Sequence, residues 1–151
     1  MINIETGQIK FDDGFSLAPE TTESDVTCPL GSDWTDREGN RWRWMSFQDS
    51  HSWGDFEMAV NAFFKNQKIW TVELAVVDPR FGKSWSEHSE EKEIQRKRFH
   101  DQILSDIFGG RYRVFDWGSV WSEYDPNGGS SSFGIHYGGS DPSNPGLGSN
   151  K

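Results

Sequence analysis

Histidines and carboxylates are the side chains of this chain that could carry acid–base or metal chemistry. None of the histidines falls in a His-Glu-x-x-His zinc motif, and the two on one helical stretch, His88 and His100, are twelve positions apart. The other two are His51 and His136. Such spacing supports neither a catalytic residue nor a metal site, so we predict none of either kind.

Asp116 and Glu123 are a candidate carboxylate pair of the kind that hydrolyses glycosidic bonds, and nearby tryptophan rings could stack on a sugar. The chain has eight tryptophans, which in so small a protein more often fill the core of a sheet. Two alternatives therefore stay open beside a protein-binding function. One is a small carbohydrate-binding module that uses exposed tryptophans, and the other, less favoured, is a small hydrolase.

Two glycine pairs occur in the sequence, but neither forms a phosphate-binding loop in front of a helix. Gly109-Gly110 closes a helical stretch, and Gly128-Gly129 lies in a predicted hairpin turn. The sequence therefore gives no support for nucleotide binding, and we predict no cofactor.

Acidic residues outnumber basic ones, 24 Asp and Glu against 15 Lys and Arg, which gives a net charge of −9. Such a surface repels nucleic acid and anionic membranes and attracts basic proteins. No apolar run approaches the roughly 20 residues that span a bilayer. Cys28 stands alone, which excludes an internal disulfide and fits a reducing cytoplasm. We expect a cytoplasmic protein whose partner is a basic protein, with no nucleic-acid or membrane partner.

Alternating apolar residues predict the strands that must position these side chains. Residues 56–64 and 69–77 read as two central strands joined by a turn at 65–68. An earlier strand places Trp42 and Trp44 on one face, with Arg41, Arg43 and Met45 on the other. Near the end of the chain, Asp125-Pro126-Asn127-Gly128-Gly129 is a strong turn signal, which predicts a hairpin from Phe115 to Tyr137.

One long helix is predicted from Ser86 to Phe108, because acidic residues crowd its first turns and Gly109-Gly110 can stop it. Ser84 or Ser86 would cap its N-terminus. The apolar stripe expected to pack on the sheet consists of Phe99, Ile103 and Ile107. A short helix is predicted near Thr22 to Cys28, with Thr22 as its N-cap and Asp25 three positions later.

Together these elements predict an α+β fold. A mainly antiparallel, twisted sheet of about six to eight strands would carry the long helix on one face, with the short helix near the N-terminus. Residues 1–138 would form a single domain. Residues 139–151 are rich in Gly, Ser and Pro and would form a flexible tail.

The acidic residues of the hairpin and of the helix start are the candidate binding surface. If the hairpin and the helix start lie close together, their carboxylates would steer a basic protein, and the tryptophans beside them would anchor it. The alternative is a solvated acidic face whose aromatic rings turn inward. The candidate partner-binding residues are Asp116, Trp117, Trp121, Glu123, Asp125, Glu87, Glu90 and Glu91.

A set of short motifs spread over residues 2–138 resembles small bacterial proteins encoded beside polymorphic toxins. The motifs are Phe11-Asp12-Asp13-Gly14, Pro19-Glu20-Thr21-Thr22, Trp85-Ser86-Glu87, His100-Asp101-Gln102-Ile103-Leu104, Trp117-Gly118-Ser119-Val120, Tyr124-Asp125-Pro126 and Ser131-Ser132-Phe133-Gly134-Ile135-His136-Tyr137. Those proteins are cytoplasmic immunity proteins of contact-dependent inhibition or type VI secretion systems. The resemblance implies that this chain binds a cognate toxin domain and occludes its active site. It implies no reaction and no cofactor.

Overall fold

The computed structural model describes residues 1–26, 30–81, 88–109 and 114–138, and these form an α+β fold. A seven-stranded antiparallel sheet and one long helix make up most of it, as the sequence predicts. The strands in the described ranges are β1 (Ile9–Lys10), β2 (Ser16–Leu17), β3 (Leu30–Thr35), β4 (Arg41–Trp53), β5 (Phe56–Lys65), β6 (Lys68–Val77), β7 (Val114–Phe115), β8 (Gly118–Asp125) and β9 (Ser130–His136).

The large sheet runs in the order β3-β4-β5-β6-β9-β8-β7. β3 to β6 form a meander, and the β8–β9 hairpin then adds to the free edge of β6. Asn66 and Gln67 join β5 to β6 with φ of 50° and 74°, backbone angles that suit the twist of a tight hairpin. The hairpin predicted from Phe115 to Tyr137 is confirmed for β8 and β9, with its turn at residues 126–129. Its first arm is shorter than predicted, because Phe115 belongs to β7 and a turn at residues 116–117 precedes β8.

The core face of the sheet carries the alternating apolar residues that the sequence predicts. Met58, Val60, Ala62 and Phe64 of β5 are all buried. Val72, Leu74 and Val76 stand opposite them or next to them on β6, and Phe133 and Ile135 continue the row on β9. Burial of this contiguous apolar surface is the main force that holds the sheet to the helix.

The long helix, α1 (Glu90–Phe108), packs across β9, β8 and β6 on the core face. It begins later than predicted, and Ser89 caps it by accepting a 3.1 Å hydrogen bond from the Lys92 amide. Both predicted caps, Ser84 and Ser86, lie outside the described residues. Gly109 ends the helix with a φ of 74°, as the sequence predicts.

The helix buries a wider stripe than the one predicted. Ile103 is buried as expected, whereas Phe99 and Ile107 are only partly buried against the core. Leu104 and Phe108 lie deeper, together with the polar His100 and Glu93. The prediction missed the polar pair because burial of such groups depends on hydrogen-bond partners that only the tertiary structure supplies.

His100 and Glu93 replace part of the backbone pairing between β6 and β9. The two strands pair only as far as Leu74 and Phe133, and they separate beyond that point. His100 Nε2 accepts a 3.1 Å hydrogen bond from the Val76 amide, and Glu93 Oε1 accepts a 3.0 Å bond from the Ser131 amide. Helix side chains therefore satisfy amides that a neighbouring strand would otherwise have bound.

The N-terminal segment packs on the same face. The short apolar runs at residues 2–4 and 9–11 predict a small first hairpin, but Ile2 makes only an isolated bridge to Ile9, and β1 pairs with β2 instead. The prediction of a short α-helix near Thr22 to Cys28 is wrong, because Glu23–Asp25 forms a single 3-10 turn. The predicted cap partner is present, since the Asp25 carboxylate accepts a 2.8 Å bond from the Thr22 amide.

Within the described ranges, no helix has both the length and the apolarity needed to cross a bilayer. The Thr27-Cys28 end of the predicted short helix and the predicted tail at residues 139–151 lie outside the described residues.

Candidate functional site

The face of the large sheet opposite α1 carries a mixed aromatic and acidic surface, which we call the helix-free face. Strand alternation and register place its side chains. At one end lie aromatic residues, and at the other lie carboxylates. Its members are Trp34, Trp42, Trp44, Phe63, Trp70, Trp121 and His136, with Glu57, Glu73, Glu123 and Asp125.

The aromatic end is built on Trp42, which is 6% exposed. The Trp34 ring stacks on it, with centroids 6.3 Å apart and planes 9° apart, and Trp70 meets it edge-on at 5.6 Å. The ammonium of Lys65 lies 4.4 Å from the centroid of Trp70 and 5.5 Å from that of Trp42. These contacts fix ring orientations, so the exposed ring surface is preorganised.

Asp36 anchors this array from the turn between β3 and β4. Its carboxylate accepts a 2.8 Å bond from the Trp42 indole N–H and further bonds from Asn40 and Glu38. The indole bond, followed by those from Asn40 and Glu38, lowers the pKa of Asp36 to about 2. The carboxylate is therefore ionised at neutral pH and holds the indole in place.

A row of two aromatic and two polar side chains crosses the middle of the helix-free face. Trp44, Phe63, Thr71 and His136 stand in register on β4, β5, β6 and β9. Thr71 Oγ1 lies 3.0 Å from His136 Nδ1, and both side chains are buried. Trp70 covers His136 edge-on, with centroids 5.1 Å apart. His136 is thus a structural residue under the aromatic layer.

Trp121 connects the two ends of the surface. It is half-buried on β8 opposite Gly134, and a Cβ placed on that glycine would lie 3.0 Å from the tryptophan ring. The same Cβ would lie 1.9 Å from the Val72 carbonyl oxygen. Glycine is therefore required at this point, where two strands and an indole ring meet closely.

The acidic end holds carboxylates from three strands. Glu73 accepts a 3.1 Å bond from the Asn61 amide group, and Glu57 accepts 2.9 Å bonds from two serine hydroxyls. Glu123 and Asp125 follow Trp121 on the same face of β8, opposite Ser132 and Ser130. The acidic residues of this group are thus spread over β5, β6 and β8.

The candidate residues that the sequence singles out do not form one surface. Trp121, Glu123 and Asp125 lie on the helix-free face, whereas Glu90 and Glu91 are exposed on the helix side. Glu87 lies outside the described residues. Tyr124 points to the helix side of β8, where its hydroxyl donates a 3.2 Å bond to Glu90. Desolvation raises the Tyr124 pKa most, followed by Glu90 and then the charges of Glu93 and Asp125.

Asp116 and Trp117 lie away from both groups, in the turn between β7 and β8. Asp116 is exposed. The Trp117 ring stacks on Phe115 at 4.7 Å, and its indole N–H donates a 2.8 Å bond to the Ile4 carbonyl. Trp117 therefore links the N-terminal turn to the large sheet through this hydrogen bond.

The histidines occupy separate environments. His51 Nδ1 lies 2.8 Å from an Asp13 carboxylate oxygen, and His88 Nε2 lies 2.6 Å from the Gly129 carbonyl oxygen. Among the described residues, no group of three or more potential ligands is placed to hold a metal ion. Burial, followed by repulsion from Arg96, lowers the pKa of His100 to about 3.

Several members of the helix-free face are absent from the candidates drawn from sequence, notably Trp44, Phe63, Trp70 and Glu73. The sequence does contain a signal for two of these residues, Trp44 and Glu73. The period-two pattern already places Trp42 and Trp44 on one face, and Glu73 interrupts an otherwise apolar strand. What the sequence lacks is the strand order that joins these positions to Trp121.

Comparison of the chain with protein families, with curated proteins and with solved structures found no match.

Proposed function

We propose that this protein is a cytoplasmic immunity protein that binds a basic bacterial toxin domain through the helix-free face and occludes its active site. The observation that carries the proposal is the pairing of preorganised, half-exposed aromatic rings with carboxylates on one sheet face. The motif resemblance to immunity proteins supports the same class. The proposal involves no reaction, cofactor, nucleic acid or membrane.

The aromatic end supplies the anchoring contacts. Trp44, Phe63, Trp70 and Trp121 are half-buried, and Trp34 is 38% exposed. Aromatic residues with part of their surface exposed on a rigid element are typical binding hot spots, since little side-chain entropy is lost when a partner covers them. A sheet is such an element, because its backbone is fixed by hydrogen bonds on both sides of each inner strand.

The acidic end would attract a basic partner protein electrostatically. Glu73, Glu123 and Asp125 add to a chain whose net charge is −9, so the field at this end is negative. Such a field accelerates encounter with a basic partner and orients it before contact. A toxin that cleaves or modifies an anionic substrate commonly presents a basic active site, and an acidic face complements it.

The test takes the coding sequence next to this protein's gene and asks whether it encodes a toxic domain that this protein neutralises when the two are co-expressed in a bacterial host. The wild-type protein should restore growth, and purified proteins should associate with a rate that falls about tenfold as salt rises from low to high ionic strength. Trp121→Ala should weaken binding about thirtyfold, the loss expected of an anchoring tryptophan.

Two charge reversals locate the surface. Glu123→Lys on the helix-free face should slow association, while Glu91→Lys on the helix side makes the same charge change and should leave protection intact. Protection lost only in Glu91→Lys would overturn the choice of face. Failure of the wild-type protein to protect would overturn the immunity function itself.

A carbohydrate-binding module is the outcome to be distinguished. Oligosaccharides would then quench tryptophan fluorescence with little dependence on salt, and Trp44→Ala would abolish the quenching while Glu123→Lys would not. That result would replace the toxin-binding proposal.

A further inference from the structure

A second site lies on the opposite side of the molecule, in a cleft between the C-terminal half of α1 and the turn that joins β4 to β5. The cleft has a volume of about 360 Å³, within the range of small-ligand pockets. Its walls are mainly apolar, formed by Trp53 and Phe56 from the strands and by Ile103 and Ile107 from the helix. Trp53 and Ile103 are 6% and 8% exposed, so the floor is firmly packed.

Three carboxylates line this apolar cleft. Asp12 Oδ2 accepts a 2.8 Å bond from the Gly54 amide and so holds the turn. Asp106 Oδ1 accepts a 2.8 Å bond from the Gln102 amide group, and the other oxygen makes no hydrogen bond with the described residues. Asp55 makes no hydrogen bond or ion pair with any residue in the described ranges. Asp55 and Asp106 are exposed, so both can turn toward a ligand.

The charge of the cleft is not balanced by the described residues around it. The amino group of Met1 is the positive group that lines it, and that group donates to the Lys10 carbonyl and faces Asp12. One ammonium therefore stands against three carboxylates.

The helix adds to the negative field. Asp106 and Ile107 belong to the last turn of α1, where the backbone carbonyls carry a partial negative charge that favours cations. The last turn of α1 nevertheless carries no basic residue. An acid at this end is unfavourable for helix stability, and such local departures from stability are typical of binding sites.

We propose that this cleft binds an organic cation that joins an apolar group to one ammonium or guanidinium, as in an arylalkylamine. The apolar part would lie on Trp53 and Ile103, and the charged head would bind Asp55 and Asp106. This site is separate from the helix-free face, so the proposal does not depend on toxin binding.

The experiment measures binding of 2-phenylethylamine and of its neutral analogue 2-phenylethanol to the full chain, by calorimetry and by methyl NMR shifts of Ile103. The amine should bind about tenfold more tightly than the alcohol, because only the amine pairs with the carboxylates. Asp106→Asn and Asp55→Asn should each weaken the amine about threefold or more and leave the alcohol unchanged.

Glu38→Gln is the matched control, because it removes one negative charge from an exposed turn at the far end of β4. The amine should bind this variant within about twofold of the wild type. Equal binding of amine and alcohol, or equal losses in Glu38→Gln and Asp106→Asn, would overturn the proposal.

Discussion

Protonation of His100 should destabilise the fold in a pH range where most carboxylates are still ionised. Its Nε2 accepts a hydrogen bond from the Val76 amide, so the neutral ring carries its proton on Nδ1. That Nδ1 has no hydrogen-bond partner among the described residues, and the side chain is fully buried. A second proton would place an N–H against the Val76 N–H and a charge in the core.

The size of the effect follows from the pKa, which burial and then the charge of Arg96 lower to about 3 in the fold. In the unfolded chain the pKa is about 6.5. Between these values the unfolded state binds a proton that the folded state does not, so stability falls as pH falls. At about 1.4 kcal/mol per pH unit, the loss between pH 6.5 and pH 5 is about 2 kcal/mol.

The assay is urea unfolding of the wild type and of His100→Gln at pH 7, 6 and 5. Glutamine can still accept the Val76 hydrogen bond but does not titrate, so the wild type should lose about 2 kcal/mol relative to the variant by pH 5. Ile103→Val, one turn along the helix, is the control for ordinary core damage, and its cost should not change with pH. A constant difference between wild type and His100→Gln would refute the reasoning.

Three further changes test other contacts. Gly134→Ala should destabilise the sheet by about 3 kcal/mol in urea unfolding, because its Cβ would overlap a backbone carbonyl of β6. Glu93→Gln should cost about 3 kcal/mol by the same measurement, since it removes the buried carboxylate that lies 3.1 Å from the partly buried Arg96 guanidinium and balances its charge. An NMR titration of Trp42→Phe should show the pKa of Asp36 rising from about 2 toward its usual range, because the indole hydrogen bond is lost.

The strands of this fold could be predicted because short stretches of the sequence contain the features that determine each strand and turn. The alternation from Phe56 to Phe64 marks one buried face, and the turn at residues 126–129 fixes the last hairpin. The helix end at Gly109 is equally local, since glycine tolerates a positive φ.

The binding surface could be predicted only in part because it depends on strand order. Trp121 and Glu123 are close in sequence, but Trp70 and Trp44 reach the same face only after the β8–β9 hairpin adds to β6. Nothing in the sequence specifies that edge. Conversely, Glu90 contacts the hairpin through Tyr124, yet the sheet separates Glu90 and Glu91 from Glu123.

The prediction of a short helix near residue 22 was wrong for a related reason. A capping pair specifies how a helix starts, but not that it continues. The Glu23 amide donates to the Gln67 carbonyl, and the Ile69 amide donates to the Thr21 carbonyl, so this stretch is tied to the β5–β6 turn and β6. Tertiary hydrogen bonds here prevail over a local signal.

The separation of β6 from β9 has a consequence for the order in which the molecule gains protection from solvent. The amides of Val76 and Ser131 lie in strands, but their acceptors are His100 and Glu93 of the helix. Their hydrogen exchange with deuterated water therefore reports docking of the helix, whereas the Val72 and Leu74 amides report pairing of the strands. If all four exchange at one rate, the helix and the sheet open together as a single cooperative unit.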